Sequence, residues 1–341
     1  MNDAVATRVS SALSPAGLEA LAVAEVSWVL IALVTAVFVL TLGLLARALW
    51  GRGRRPVSTA AWVLGGGVAF PVVVLTGLLL YGTWRTAGLD RTLAAPDLVV
   101  NVTGHLWWWD VRVHDPRSGR QAVLANELRV PVGRSTQIAL QSADVIHSFW
   151  VPEMGGKRDL VPGRVNHLVV TPTRPGVYRG QCAEYCGLQH AKMALHVVAM
   201  PAAEFDAWLA SQVGGAGDGP AAGAGRGAPS DPSPRQARGR ERFVALGCAN
   251  CHAARGVPLG HAHGRRDARA GAGGGRPRGP DLTHVATRPT LGAGALPNGP
   301  GAVRRWLVEL QTLKPGARMP SYAHLDTDTL DALAAYLEGS P

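Results

Sequence analysis

Two long uncharged stretches near the start of the chain constrain what it can fold into. Residues 26–45 and residues 60–81 each contain no charged side chain. A helix rises 1.5 Å per residue, so about 20 residues span the roughly 30 Å of a bilayer core. Pro71 and Gly77, inside the second stretch, are tolerated in membrane helices. We therefore predict a transmembrane hairpin within residues 1–90 and disfavour two helices buried in a soluble core.

The loop between the two stretches predicts the orientation of the hairpin. It carries four arginines: Arg47, Arg52, Arg54 and Arg55. Basic loops remain on the cytoplasmic side of a membrane. Both termini, and all residues after about position 85, are therefore expected on the extracytoplasmic side.

Residues 91–212 have the pattern of a β domain. Strand-like runs occupy residues 98–102, 107–113, 137–140, 167–170, 177–178 and 196–198, with Pro- and Gly-containing turns between them. Short strands at regular spacing are typical of an all-β sandwich or barrel. A span of this length fits one domain, and residues 202–211 are predicted to form a closing helix.

The remaining third of the chain divides into a linker and a helical domain. Residues 213–239 are rich in Gly, Ala and Pro, which predicts a flexible linker. Residues 240–341 predict helices at 241–246, 303–310 and 327–337, with a basic, low-complexity loop at 256–279. The net charge of +10 reflects arginines without interleaved aromatics, so we predict no nucleic-acid binding.

Four potential metal ligands lie within twelve positions of the predicted β domain: Cys182, Cys186, His190 and Met193. Thiolate, imidazole and thioether are donors that copper prefers. The spacing is too tight for a disulfide framework and does not match the usual zinc pairs. A copper site in a β domain would need a second histidine, and His147 is the candidate.

A second motif, Cys248-Ala-Asn-Cys251-His252, is the pattern for covalent attachment of c-type haem. A thioredoxin-like redox pair is the alternative, although no strand–helix context surrounds the motif. Residues 279–284 and 314–320 resemble the haem-packing and axial-methionine loops of class I cytochromes c. That resemblance implies His252 and Met319 as the iron ligands, a pair that raises the haem potential.

Several segments in order resemble subunit II of the haem–copper cytochrome c oxidases. They are residues 104–109, 144–150, 161–166, 174–178 and 181–193. The order of domains over the whole chain is similar to the caa3-type branch, in which a cytochrome c domain is fused to subunit II. The resemblance implies a multidomain membrane protein with a transmembrane hairpin, a cupredoxin-like sandwich at 91–212 and an all-α cytochrome c domain at 240–341. Leu106 and Trp108 depart from the family pattern, but neither position is a ligand.

The resemblance also implies a ligand set and a route for electrons. The implied centre is dinuclear copper, called CuA, with bridging thiolates from Cys182 and Cys186, and with His147, His190, Met193 and the Glu184 carbonyl completing it. The Glu184 carboxylate is implied to reach a magnesium site shared with subunit I. Trp107 matches the tryptophan through which electrons reach the copper.

The function implied is electron input to a cytochrome c oxidase of a bacterial inner membrane. A cytochrome c or another outside donor would reduce the haem, and CuA would pass electrons to the haem of subunit I. There oxygen would be reduced to water with proton pumping, and subunits I and III would be the partners. Two alternatives stay open: a subunit of a CuA-containing nitric oxide or nitrous oxide reductase, and a membrane-anchored copper carrier or assembly factor.

Overall fold

The computed structural model describes residues 10–51, 58–89, 95–212, 232–254, 257 and 279–339. Two apolar helices come first, a two-sheet β-sandwich follows, and a small helical domain ends the chain. This order confirms the predicted combination of a helical hairpin, a cupredoxin-like sandwich and an all-α domain.

Both apolar helices are longer than the uncharged runs that predict them. Helix α1 covers Leu18–Trp50, and the second helix passes from a π-helical segment, Ala61–Ala69, directly into α2, Phe70–Thr86. Their most apolar windows have mean hydropathies of 2.8 and 2.3, and no part of either window is buried. Helix α1 extends towards its N-terminus because Glu25 finds partners on the second helix, where Arg85 and Tyr81 donate hydrogen bonds to its carboxylate.

The start of α1 is fastened to the β-sandwich by hydrogen bonds. The Glu19 carboxylate accepts from the backbone N–H and the hydroxyl of Thr171, at 2.8 and 2.9 Å. The backbone of Ala16 adds a 2.7 Å bond to the carbonyl of Glu153. The sandwich is therefore held against the end of the first apolar helix by more than the covalent chain.

The sandwich consists of two five-stranded sheets. One has the order β3-β2-β1-β5-β8 and the other β4-β10-β9-β6-β7. The strands are β1 Leu98–His105, β2 Trp108–His114, β3 Gln121–Ala125, β4 Glu127–Pro131, β5 Thr136–Ser142, β6 His147–Trp150, β7 Arg158–Leu160, β8 Asn166–Val170, β9 Gly176–Cys182 and β10 Ala194–Met200. Helix α3, Ala202–Gln212, closes the domain as predicted.

Four strands were not predicted, namely β3, β4, β6 and β7. Charged residues interrupt the apolar pattern of β4, and β6 and β7 are only four and three residues long. A period-two pattern is too short to recognise over such lengths.

The C-terminal domain is built from α4, Pro234–Ala245, α5, Ala302–Leu313, and α6, Thr327–Glu338. Two short strands, β11 Thr290–Leu291 and β12 Leu296–Pro297, form a small hairpin between α4 and α5. Helices α4 and α6 cross closely at Gly239, where an added Cβ would lie 2.0 Å from the carbonyl oxygen of Ala332.

Helix α4 begins inside the segment predicted as linker. Ser233 caps it, accepting from the Gln236 backbone while the Gln236 side chain accepts from the Ser233 backbone. This capping box satisfies two otherwise unpaired N–H groups, so the helix starts at Pro234 rather than near residue 241. The rest of the predicted linker, residues 213–231, and most of the predicted loop, residues 258–278, lie outside the described residues.

Candidate metal and haem centres

The topology of one sheet brings the predicted copper ligands together. Strand β9 pairs antiparallel with both β6 and β10, so that Phe149 lies opposite Cys182 and Gln181 lies opposite Ala194. The end of β9, the start of β6 and the turn before β10 therefore meet at one edge of the domain. These elements carry the predicted ligands His147, Cys182, Cys186, His190 and Met193.

The donor atoms of these residues converge within contact distance. The Sγ atoms of Cys182 and Cys186 are 3.8 Å apart. The Nδ1 atom of His147 lies 3.9 Å from Cys182 Sγ, and that of His190 lies 3.6 Å from Cys186 Sγ. The thioether sulfur of Met193 is 3.8 Å from Cys186 Sγ. The two sulfurs form the centre of the cluster, with one imidazole beside each.

The cluster is largely closed to solvent. His147, Cys182, Cys186 and Met193 are all buried, and His190 is partly buried. A hydrogen bond from the Cys186 thiol, assisted by His147, holds the pKa of Cys182 well below its usual range, whereas burial opposes this effect. A site that favours a thiolate beside two imidazoles and a thioether fits a soft or borderline metal such as copper.

Asp144 orients the imidazole of His147 through the ring nitrogen that faces away from Cys182. Its carboxylate oxygen lies 2.8 Å from Nε2 of His147, on the side of the ring that faces away from Cys182. A hydrogen bond at Nε2 places the proton there and leaves Nδ1 with a free lone pair. Asp144 lies in the segment 144–150 that resembles the oxidase family, but its sequence position alone does not predict this role.

Glu184 has two separate environments. Its backbone carbonyl lies 3.2 Å from Cys182 Sγ, at the edge of the cluster, while its side chain is exposed. The carbonyl is therefore close enough to the thiolates to contribute to a metal site. The carboxylate is available to a partner outside the chain.

The second candidate site is a cavity of about 700 Å³, lined mostly by the C-terminal domain and on one side by the β-sandwich. Its lining includes all four residues predicted to hold haem: Cys248, Cys251, His252 and Met319. The rest of the wall is mostly apolar, with Phe243, Leu307 and Leu333 among its members. A largely apolar pocket next to two thiols and an imidazole suits a large planar cofactor held by covalent bonds.

His252 is oriented by the backbone that follows it. Its Nδ1 is 2.7 Å from the carbonyl oxygen of Pro280, which leaves Nε2 as the ligating nitrogen. Burial lowers the pKa of His252 and so favours the neutral ring that a metal needs. Gly279 is required beside this ring, because a Cβ there would lie 2.6 Å from the imidazole Cε1.

Trp107 lies between the two candidate sites. Its indole Nε1 donates to the carbonyl oxygen of Cys186 at 2.9 Å, and Trp107 is also one of the residues that line the haem cavity. The other two tryptophans of the run are placed differently: Trp109 is fully buried in the sandwich core, and Trp108 stacks on His105 at 4.3 Å. Only Trp107 touches the backbone of the copper cluster.

Sequence reasoning missed two other polar residues at the junction of the domains. Asn126 lines the haem cavity from the copper side, and its Oδ1 accepts from the Trp109 backbone at 2.9 Å. Lys314 was quoted within the axial-methionine motif without a role, but it lies buried where the two domains meet. Neither residue is spaced relative to the ligands in a way that a sequence pattern can reveal.

Comparison with known families gives two matches along the chain. Residues 111–200 match the family of the cytochrome c oxidase subunit II periplasmic domain. Residues 236–340 match the cytochrome c family. The first match covers the copper cluster, and the second covers the haem cavity.

Two relatives align over most of the chain. Cytochrome c oxidase subunit 2 of Alkalihalophilus pseudofirmus is 32% identical over 78% of this chain and 68% of its own length. The corresponding protein of Bacillus sp. strain PS3 is 29% identical over 73% of this chain and 64% of its own length. Among solved structures, the periplasmic domain of subunit II of cytochrome oxidase from Bradyrhizobium japonicum is 29% identical, covers 36% of this chain and 96% of that chain, and gives a TM-score of 0.32.

Fold and sites together define a membrane-anchored electron-transport protein in which a cupredoxin-like domain is joined to a cytochrome c domain. The chain belongs to the cytochrome c oxidase subunit 2 family, and its two-domain match fits a caa3-type fusion. It is thus part of an oxidoreductase complex, and membership implies copper and haem c as cofactors.

Proposed function

We propose that this chain is the electron-input subunit of a proton-pumping cytochrome c oxidase. Electrons from a cytochrome c or another outside donor are received at the cytochrome c domain and leave from the copper domain towards the haem of subunit I. The observation that carries the proposal is the position of Trp107, which lines the haem cavity and donates to the carbonyl of Cys186. One residue therefore adjoins both sites.

The residues of the copper cluster would hold two copper ions as a CuA centre. Cys182 and Cys186 supply the two thiolates nearest each other, and each has one imidazole next to it. This near-symmetric donor set suits two metals rather than one. When bound, the metals supply one-electron redox chemistry, and the rigid strands limit the rearrangement of their ligands. Met193 and the Glu184 carbonyl contribute weaker donors at the edge.

The residues of the cavity would hold haem c covalently. Cys248 and Cys251 would form the thioether bonds, and His252, through Nε2, and Met319 would be the iron ligands. The cavity wall is largely apolar, and the hydrogen bond from Nδ1 of His252 to the Pro280 carbonyl orients the imidazole. A His/Met ligand pair favours a raised potential, which suits a carrier that donates to copper.

The remaining partners are inferred from the exposed Glu184 carboxylate and from the exposed surfaces of the two apolar helices. The Glu184 carboxylate faces outwards and is proposed to bind magnesium together with subunit I. The most apolar windows of the two helices contain no buried residue, and we place these helices beside subunits I and III. Because Arg47 ends α1 on the side opposite the sandwich, both redox domains are assigned to the periplasmic face of a bacterial inner membrane.

Purification of the complex from its native membrane tests these assignments. We expect subunit I to co-purify, oxygen uptake driven by reduced cytochrome c, haem that survives acid–acetone extraction, and two coppers per chain with a mixed-valence electron paramagnetic resonance signal. Extractable haem would contradict covalent attachment, and a single-copper signal would contradict the dinuclear centre. A partner that reduces nitric or nitrous oxide instead of oxygen would contradict the oxidase assignment.

A further inference from the structure

Lys314 has an unusual environment for a lysine. It is 4% exposed, at the end of α5 where the axial-methionine loop begins. Its ammonium donates three hydrogen bonds, to the carbonyl oxygens of Trp107 at 2.8 Å, Lys192 at 2.7 Å and Gly292 at 2.6 Å. An ammonium has three donors, so every one of them is used.

The three acceptors come from three separate parts of the chain. Trp107 and Lys192 belong to the copper domain, while Gly292 belongs to the cytochrome c domain. The acceptors are backbone carbonyls, so no carboxylate compensates the buried charge directly. Burial, with the nearby Lys192 charge, lowers the pKa of Lys314 to about 7. Burying a cation without a carboxylate partner costs desolvation free energy. This is consistent with a role of Lys314 in joining the domains rather than in stabilising either domain alone.

Both copper-side acceptors adjoin the copper ligands. Trp107 accepts a hydrogen bond from Lys314 at its backbone carbonyl, and its indole N–H donates to the backbone carbonyl of Cys186. Lys192 immediately precedes Met193 in the turn that also contains His190. At its other end, Lys314 begins the segment that leads through Gly316 to Met319. One side chain therefore bridges the backbones that carry the ligands of both sites.

Other contacts surround this bridge and align the same two segments. The Gln189 side chain donates to the Pro315 carbonyl at 2.7 Å, and Lys192 Nζ donates to the Leu313 carbonyl at 2.6 Å. Gly316 packs closely on Leu188, where an added Cβ would be 3.1 Å from the Leu188 side chain. The copper-ligand loop and the axial-methionine loop thus face each other directly, and Lys314 is the buried cation between them.

We propose that Lys314 is a positioning residue for electron transfer between the two domains. Its ammonium locks the cytochrome c domain onto the copper domain at Trp107 and Lys192 and so fixes the distance and orientation of the two centres. This inference rests on the proposed function. Without the ammonium, three carbonyls lose a donor, the docked state becomes less populated, and transfer must wait for the domains to meet.

The test is Lys314→Met in the purified oxidase complex, with the haem-to-copper rate measured after photoreduction of the haem. We expect the rate to fall about tenfold or more, since truncating one partner of a buried, hydrogen-bonded charge is strongly disruptive. The haem potential, the methionine–iron absorption band and the copper content should remain those of the wild type. Lys157→Met is the control, because Lys157 is an exposed lysine of the same copper domain, and we expect its rate to be unchanged.

Loss of the methionine–iron band in Lys314→Met would show that this substitution disturbs the haem domain itself. A second variant tests the positioning role in that case. Lys192→Met removes the bond to Leu313 from the copper side, through an exposed side chain, and should slow transfer at least about twofold, the loss of one interfacial hydrogen bond. Wild-type rates in Lys314→Met with an intact band, or in Lys192→Met, would overturn the positioning role. Absence of haem-to-copper transfer in the wild type would instead overturn the proposed function.

Discussion

His147 is held from two sides, and this explains how a single histidine is prepared for metal binding. Nδ1 faces Cys182, while Nε2 meets the carboxylate of Asp144 at 2.8 Å. The ring is fully buried, so its orientation cannot be corrected by solvent. The carboxylate therefore decides which nitrogen is free to bind a metal.

Replacing Asp144 with Asn should weaken copper binding while the ligands themselves remain. Loss of a partner behind a metal-binding histidine typically costs roughly 10–100-fold in affinity. We expect a shift of this size in copper retention, measured by competition with a chelator. Asp159→Asn makes the same change on the neighbouring strand β7 and should leave copper retention unchanged. Equal retention in the two variants would contradict the orienting role of Asp144.

Substitution of Met319 tests its predicted role as an iron ligand. Met319→Leu removes the thioether but retains a similar apolar volume in the cavity wall. The potential should fall by on the order of 100 mV, a fraction of the roughly 0.8 V that axial ligands can span. A redox titration followed in the visible spectrum measures the shift. Met200→Leu, a change on the copper domain, is the matched control, and an unchanged potential in Met319→Leu would place the axial ligand elsewhere.

At the scale of elements, the contact between α4 and α6 holds the haem domain together. Gly239 allows the helices to approach until a Cβ would lie 2.0 Å from the carbonyl of Ala332 and 2.7 Å from the Cβ of Tyr336. Phe243 and Tyr336 complete the crossing with an edge-to-face contact at 5.6 Å. The backbone at the crossing leaves no room for a side chain.

Gly239→Ala should therefore destabilise the haem domain, although alanine favours helix formation. Overpacking a close contact costs about 1–3 kcal/mol, more than the roughly 1 kcal/mol that Ala contributes over Gly in a helix. Guanidinium unfolding of the full chain, followed at the haem absorbance, measures the difference. Gly299→Ala is the control, because nothing lies within 4 Å of a Cβ there. Equal midpoints for the two variants would contradict this packing.

At the scale of the whole molecule, docking of the two domains and their covalent connection contribute separately to the haem-to-copper transfer rate. The contacts around Lys314 hold the domains together, whereas the segment predicted as a linker should set how often they meet if those contacts are lost. Residues 213–231 lie outside the described residues, but their length can be changed without altering either domain.

Inserting a second copy of residues 213–231 separates the two contributions. Doubling a flexible linker lowers the effective concentration by about threefold. In the wild type, we expect the haem-to-copper rate to be unchanged, because the docked state persists. In Lys314→Met, the same insertion should slow the rate by about threefold further. A wild-type rate that falls with linker length would show that the docked contact does not control transfer.

Much of this architecture could be predicted from the sequence because its signals are local. The uncharged runs fix the two apolar helices, and the spacing of Cys182 to Met193 brings soft ligands into one loop. Cys248, Cys251 and His252 form a motif five residues long. Each of these patterns lies within a short continuous segment of the sequence, so it can be recognised without knowing how the segments pack together.

The start of α4 shows where local reading is less reliable. The segment predicted as a linker extends to residue 239, yet Ser233 and Gln236 provide a capping box that begins the helix at Pro234. Composition averages over a window, whereas a cap depends on two side chains. The short strands β6 and β7 were missed for the related reason that their patterns are too brief.

The sequence by itself determined the kinds of domain, their order and most of the candidate ligands, because motif spacing and hydrophobic length are properties of the linear chain. Only the tertiary structure decided that Asp144 stands behind His147 and that Lys314 joins Trp107 to the axial-methionine loop. Lys314 and Trp107 are 207 positions apart. A contact over that separation depends on how two folded surfaces meet, and nothing in the local sequence encodes it.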